Sequence, residues 1–422
     1  MILYTHQKAI IDEDPKKCGL FMGTGSGKTR TALMLARGRT LVIAPKTQVE
    51  DGNWVRELAH KIEDGGGYTG FEILSKETFR RDHASLPTFD TMIVDEAHTV
   101  LGVMPNIRYK NKKPRPKASQ LFDALDEYLQ RTQPERLYLC TATIMKSPMT
   151  VYGAALLLGK VERTLLHFYE FRQTFYTKLP VPGREVWVPK KDSETKDHLA
   201  RIVKSLGYTG RLEDYFDVPE QTFITKYTDL TAVQKQRIKE LPLEYPDPLV
   251  LIGKKHQVEN GLLTGNEFAE LEGFDNGKID KILELAEEFP RMIVFCKFRA
   301  QIDAIEEAVH KAGHRTFVLH GDIQDRGGLL HAAQNSKEYV FICQAQVSAG
   351  WELPECPVMV FASRTYSWVD YEQAKGRIQR ANNIKKNLYI NLVVRGGVDE
   401  AVDKALANKQ DFDDHLYAQK RS

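Results

Sequence analysis

The residues of this 422-residue chain best suited to chemistry form a glycine-rich loop. Gly23-Thr24-Gly25-Ser26-Gly27-Lys28-Thr29 follows the apolar run Cys18-Gly19-Leu20-Phe21-Met22 and precedes Thr31-Ala32-Leu33-Met34-Leu35-Ala36, an order that reads as strand, loop and helix. The glycines let backbone N–H groups turn inward around phosphate oxygens, and the helix N-terminus adds partial positive charge. In such a Walker A arrangement Gly23, Thr24, Gly25, Ser26 and Gly27 cradle the phosphates of ATP. Lys28 reaches the β- and γ-phosphates, and the Thr29 hydroxyl ligates Mg²⁺. The strict pattern places Gly six residues before Lys28, where this chain has Met22.

A second cluster, Ile93-Val94-Asp95-Glu96-Ala97-His98, closes another apolar run. Adjacent carboxylates at a strand end point to opposite sides of the chain, so they can take separate tasks. Asp95 is placed to hold Mg²⁺, directly or through water, and Glu96 to polarise an attacking water. Alone, an Asp-Glu pair at a strand end often only caps a helix. Beside Lys28 and Thr29 it completes an ATP-hydrolysing site.

Two sets of strands are needed to position these groups. Residues 40–44, 91–95 and 136–140 in the first half are short continuous apolar runs, as are 292–296, 316–320, 339–343, 358–361 and 388–393 in the second. Such runs suit strands covered on both faces, as in a parallel sheet. Between them lie helical patterns; over 301–312 Ile302, Ile305, Val309 and Ala312 form one stripe, with Gly313 as a stop. The alternation predicts an α/β chain of two doubly wound parallel-sheet lobes, 1–219 and 220–422. Residues 150–219, of which 151–178 are rich in Leu, Phe and Tyr at helical spacing and 180–192 carry several prolines, read as a helical insertion, with a linker near Asp217-Val218-Pro219-Glu220.

At 42% hydrophobic and 27% charged residues, the chain can bury sizeable cores and stay soluble. It has no run near the roughly 18 apolar residues that cross a membrane, and Met1–Gln7 lack signal-peptide features. A cytoplasmic protein without a membrane partner is expected. Cys18, Cys140, Cys296, Cys343 and Cys356 form no Cys-x-x-Cys pair and read as reduced structural thiols. A net charge of +2 does not advertise a polyanion partner. The basic run Arg108 to Lys117 is concentrated, however, and its Pro114 and Pro116 predict a loop. That loop is either a solvated surface or, through Lys110, Lys112 and Lys113, a contact to nucleic-acid phosphates.

With these motifs in place, the chain resembles superfamily 2 helicases, whose DEAH box Asp95-Glu96-Ala97-His98 spells and whose members often relax the position of Met22. The resemblance implies two RecA-like lobes, with the insertion between the third and fourth motifs. It assigns Gln7 to reading adenine and Lys46, in Ala44-Pro45-Lys46, to the nucleic-acid backbone. Thr141 and Thr143, in Thr141-Ala142-Thr143, couple hydrolysis to lobe movement. Phe295-Cys296-Lys297 and His320-Gly321-Asp322 stand at strand ends where further motifs lie, and Ser348-Ala349-Gly350-Trp351-Glu352-Leu353 is similar to the fifth motif. Gln373-Ala374-Lys375-Gly376-Arg377-Ile378-Gln379-Arg380 is similar to the sixth, with Gln373 a coupling residue. Arg377 and Arg380, three apart, are expected to share a helix face and to act as arginine fingers on the γ-phosphate. Trp351 is either a base-stacking residue or an aromatic plug in the lobe core.

Within the superfamily, Asn53-Trp54-Val55-Arg56-Glu57, Phe168 to Phe175 and Leu230 to Lys235 resemble the Swi/Snf-type group of DNA-dependent ATPases, while Thr141-Ala142-Thr143 and Trp351 depart from that group's commonest forms. The implied protein is a compact DNA translocase, similar to some phage-encoded members and then acting in the host cytoplasm. DNA is the implied partner, duplex ahead of single-stranded, with RNA as the alternative. A protein partner such as a nuclease or a replication or recombination factor would fit. Three rival functions stand beside it. They are an RNA helicase, a strand-separating helicase (for which no wedge or pin is evident in sequence) and a nucleotide-gated DNA-binding subunit of a larger complex.

Overall fold

The structure is a computed structural model that describes residues 3–50, 52–63, 70–110, 113–180, 185–216, 221–264, 272–274, 276–345, 351, 353–378, 386–408 and 412. Two compact units divide the chain, Met1–Phe216 and Asp217–Ser422.

Among the described residues, ten strands belong to the first unit: β1 (Lys17–Met22), β2 (Thr40–Ala44), β3 (Phe71–Ser75), β4 (Thr91–Val94), β5 (Val103–Lys110), β6 (Lys113–Ala118), β7 (Arg136–Cys140), β8 (Tyr176–Leu179), β9 (Val186–Pro189) and β10 (Gly207–Gly210). Six of them form one parallel sheet in the order β10-β1-β7-β4-β2-β3. Alternate residues of each strand serve different cores. Phe21, Leu41, Ile43, Met92, Val94, Leu137 and Leu139 pack into one, and Leu20, Met22, Val42, Ala44, Ile93, Tyr138 and Cys140 into the other. Helices cover both faces, which is why these strands carry no polar alternation.

The second unit repeats the plan with β11 (Gln221–Thr228), β12 (Leu262–Leu263), β13 (Glu272–Gly273), β14 (Arg291–Cys296), β15 (Thr316–Leu319), β16 (Tyr339–Gln344), β17 (Val358–Phe361) and β18 (Asn387–Val394). Its parallel sheet runs β11-β18-β17-β14-β16-β15. Ile293, Phe295, Phe341 and Met359 face one core, while Met292, Val294, Ile342 and Val360 face the other. Each unit is thus a RecA-like lobe of the expected α/β class.

The structure corrects two expectations. Residues 103–110 and 113–118 are not a loop but two antiparallel strands, β5 and β6, with Tyr109 opposite Pro114 and Ile107 opposite Pro116. A ribbon of two strands has only edges, and prolines two apart can both turn their missing N–H outward. The insertion is also only partly helical. Helices Pro148–Leu157, Leu165–Phe175 and Ser193–Leu206 are joined by a second antiparallel pair, β8 and β9, and followed by β10, which completes the sheet beside β1. Gly207 lies so close to β1 that a Cβ there would meet the Gly19 carbonyl oxygen at 2.0 Å. A strand made of such residues has no apolar run to announce it.

All five cysteines are buried and unpaired. No described helix is long and apolar enough to cross a membrane.

Candidate functional site

The glycine loop leaves the C-terminal end of β1 and leads into the helix Lys28–Leu35. Gly25 and Gly27 adopt φ values of 79° and 83°, the left-handed region in which glycine is unstrained. The Ser26 hydroxyl and the Lys28 ammonium both donate to the Gly23 carbonyl, at 2.7 and 2.9 Å, and hold the loop curled. Thr29 lies half-buried in the first helical turn, where backbone N–H groups are unpaired by the helix itself.

Gln7, only 1% exposed, locks this loop from the helix Thr5–Glu13. Its amide nitrogen donates to the Gly27 carbonyl at 3.0 Å, and its amide oxygen accepts the Tyr4 N–H at 2.9 Å. A Cβ on Gly27 would meet that nitrogen at 2.3 Å, so the glycine is required for contact as well as for φ. The His6 ring shares a 2.9 Å hydrogen bond with the Ser26 carbonyl and stacks on Tyr215, with centroids 3.9 Å apart.

Asp95 and Glu96 follow the C-terminal end of β4. Asp95 is buried, with its oxygens accepting from the Glu96 N–H at 2.9 Å and the Trp54 indole N–H at 3.2 Å. Burial, and then the neighbouring Glu96 charge, push its carboxyl above the usual range. Glu96 adopts φ 43° and ψ 52°, a left-handed conformation that costs a side-chain-bearing residue about 1–3 kcal/mol and is typically kept at functional sites. Burial pushes its carboxyl up, but His98, Lys28 and Lys76 outweigh that and hold it below the usual range. Its Oε2 is buried without a hydrogen-bond partner among the described residues, with His98 Nδ1 3.4 Å away. A carboxylate kept ionised with one oxygen lacking a donor can accept a hydrogen bond from an incoming water and orient it. Asp95 and Thr29 supply hard oxygen donors of the kind Mg²⁺ takes, and a cation would relieve the crowding of negative charge at Asp95.

Lys76 links the pair to its surroundings. Its buried ammonium donates to the Glu96 carbonyl at 2.9 Å and to the Thr99 hydroxyl at 2.6 Å, and burial lowers its pKa to about 8. His98 continues toward the end of β7, sharing a 2.9 Å hydrogen bond with the Thr141 hydroxyl, which also accepts the Thr143 N–H at 3.2 Å. The buried Thr143 hydroxyl has no partner among the described residues.

In the second unit, the helix Trp368–Lys375 carries the half-buried Gln373 and ends at Gly376. Arg377 therefore sits in the turn beyond the helix, not on its face, because glycine favours the stop. Its Nε–H donates to the Gln373 carbonyl at 2.9 Å and its Nη1 to the Trp351 carbonyl at 2.8 Å. Arg380 lies outside the described residues, as do Ser348, Ala349, Gly350 and Glu352. Trp351 is 3% exposed and packed near Phe341 and Phe295, with centroids 5.1 and 6.0 Å away. It is a core plug, and a ring so buried is not available to stack on a base. Trp351→Ala is expected to destabilise the protein by about 3–5 kcal/mol, seen as a lower melting temperature.

Of the remaining cationic candidates, Lys46 is exposed and pairs with Glu50 at 3.4 Å. Lys113 is exposed on β6, Lys110 closes β5, and Lys112 lies outside the described residues.

Residues 277–382 match the family model for the helicase conserved C-terminal domain. That segment lies within the second unit and contains Lys297, His320, Asp322, Gln373, Arg377 and Arg380. Among solved structures, the chain is similar to the Sulfolobus solfataricus SWI2/SNF2 ATPase core in complex with dsDNA, at 17% identity and a TM-score of 0.39, covering 99% of this chain and 92% of that one. It is also similar to the C-terminal part of the Fun30 ATPase domain, at 14% identity and a TM-score of 0.37, covering 44% of this chain and 89% of that one. No curated protein matches the chain.

Lys76, Trp54 and His6 escape the sequence reading as site residues. Trp54 stands in a stretch quoted only for its group resemblance, and nothing in the spacing of Lys76 ties it to Glu96. The contact between His98 and Thr141 gives the first unit a physical link from its acid pair to the next strand end. Thr141→Val keeps the shape and removes the link. It is expected to lower nucleic-acid stimulation of ATP turnover by roughly 2–30-fold, measured as the ratio of stimulated to basal rate.

Proposed function

We propose that the chain is an ATP-driven motor of the superfamily 2 helicase type, nearest the Swi/Snf group, which hydrolyses ATP to ADP and phosphate and moves along DNA, duplex in preference to single-stranded. One observation carries the reading. The glycine loop that follows β1 and the acid pair that follows β4 stand at the same C-terminal edge of one parallel sheet, and the Lys28 charge lowers the pKa of both carboxyl groups. Open α/β sheets bind ligands at that edge.

In the proposed reaction the loop N–H groups between Gly23 and Lys28 hold the phosphates. Lys28 exchanges the Gly23 carbonyl for phosphate oxygens. Mg²⁺, held by Thr29 and Asp95, would neutralise charge on the β- and γ-phosphates. Glu96 orients the attacking water and accepts its proton. Its backbone is fixed by Lys76, and its side chain lies beside His98, whose contact with Thr141 relays the change in charge. Phosphate contacts carry no sequence information, so movement along DNA needs no base readout.

The test is ATP turnover by the purified chain without nucleic acid and with duplex DNA, single-stranded DNA or RNA. Strongest stimulation by duplex DNA is expected. Strongest stimulation by RNA would make the chain an RNA helicase of the same fold. A folded sample indifferent to all three would point to a nucleotide-gated subunit that needs its partner.

A further inference from the structure

A glutamine that reads adenine must present both ends of its amide to the base. Its oxygen accepts from the N6 amino group and its nitrogen donates to N7, the pair of groups that sets adenine apart. Gln7 presents both ends to the protein instead. Its oxygen accepts the Tyr4 N–H at 2.9 Å. Its nitrogen donates to the Gly27 carbonyl at 3.0 Å and to the Thr31 hydroxyl at 3.4 Å, which uses both amide hydrogens. The amide cannot be turned over, because a backbone N–H only donates and a backbone carbonyl only accepts. With 1% of the residue exposed, it offers no surface to a base edge while these bonds stand.

Each end of the amide has a structural task. Gln7 is the third residue of the helix Thr5–Glu13, and accepting the N–H of the residue before that helix is half of a capping box. The other end closes a triangle, because the Thr31 hydroxyl donates to the same Gly27 carbonyl at 3.1 Å. Gly27 stands at φ 83° immediately before Lys28, so the triangle holds the turn from which the lysine reaches phosphate. His6, on the same helix, is committed to the loop as well. Its ring stacks on Tyr4 and Tyr215, and a ring nitrogen shares the bond to the Ser26 carbonyl.

We propose that Gln7 positions the phosphate loop and does not read the base, so that the site takes purine and pyrimidine nucleoside triphosphates alike, ATP among them. This replaces the adenine-reading role that the helicase resemblance assigns to Gln7. Recognition then falls on the triphosphate, through the glycine loop, Lys28 and Thr29, and every such nucleotide carries that group. The proposal rests on the motor reading above and deepens it by naming the substrate class.

The experiment uses the full chain with Mg²⁺. Calorimetry gives its affinity for non-hydrolysable analogues of ATP, GTP, CTP and UTP, and turnover of the four triphosphates themselves is measured with duplex DNA present. A site built on hydrogen bonds to one substrate group rejects analogues lacking it by about 10⁴–10⁵-fold; wild-type protein is expected to keep all four within about tenfold, in affinity and in kcat/KM. Gln7→Ala should weaken the four by one common factor, about 5- to 150-fold, as for buried groups left without their partner. Its binding stoichiometry should stay at the wild-type value, which a partly unfolded sample would lower. A wild-type preference for ATP beyond the tenfold range, or a Gln7→Ala loss confined to ATP, would overturn the proposal. Failure of the motor reading would look different: all four analogues would bind alike and no triphosphate would be hydrolysed.

Discussion

Glu96→Gln is expected to lower ATP turnover by about 10²–10⁴-fold, the usual contribution of a positioned general base, while ATP binding stays near the wild-type level. The substitution keeps the size of the side chain and removes the proton acceptor. Its setting makes the effect specific. His98, Lys28 and Lys76 keep the Glu96 carboxyl ionised against its burial, and no donor among the described residues satisfies Oε2. The left-handed backbone at Glu96 and the Lys76 bond to its carbonyl remain in the variant, so the strand end should not collapse. Steady-state kcat, paired with the affinity for a fluorescent ATP analogue, separates chemistry from binding. Turnover within threefold of wild type would remove Glu96 from the proposed reaction.

Lys28→Ala should be nearly as severe, costing about 10²–10³-fold in kcat, as for loss of one preorganised electrostatic contact, and weakening ATP binding as well. The Lys28 ammonium is within hydrogen-bonding reach of Gly23 and its charge lowers the carboxyl pKa of both acids, so its loss alters the cradle and the acid pair together. Lys28→Arg retains charge but replaces a compact ammonium with a planar fork, and it should rescue binding better than turnover. Full rescue of both would mean that only charge matters at this position.

How far such a site can be read from sequence depends on which physical signal marks each part. Strands such as Thr40–Ala44 and Arg136–Cys140 are covered on both faces, so their apolar runs are continuous and their limits stand in the sequence itself. The loop and the acid pair are legible for a related reason. Phosphate binding demands glycines, a lysine and a hydroxyl in consecutive positions, and the metal- and water-binding acids sit together at one strand end. Contacts between distant segments leave no such record. Trp54 meets Asp95 across 41 positions and Lys76 meets Glu96 across 20. Strand β10 pairs through backbone beside Gly19 and shows no apolar pattern. The paired strands β5 and β6 are hidden by their prolines, which usually signal a loop but are tolerated on a free ribbon. Trp351 and Arg377 differ in another way: an aromatic ring or a guanidinium suits a core plug or a carbonyl clamp as well as a ligand contact, and only the packing around it distinguishes them.

The central claim, that ATP hydrolysis at this site drives movement along duplex DNA, is tested most directly by triplex displacement. A labelled third strand is annealed to a long duplex, and its release is followed after adding protein, Mg²⁺ and ATP. Wild-type protein should release the strand at a rate that rises with ATP concentration. Glu96→Gln, Lys28→Ala and wild-type protein with a non-hydrolysable ATP analogue should release none above background. Release that proceeds equally without ATP, or an active ATPase that binds the duplex but never displaces the third strand, would contradict the account.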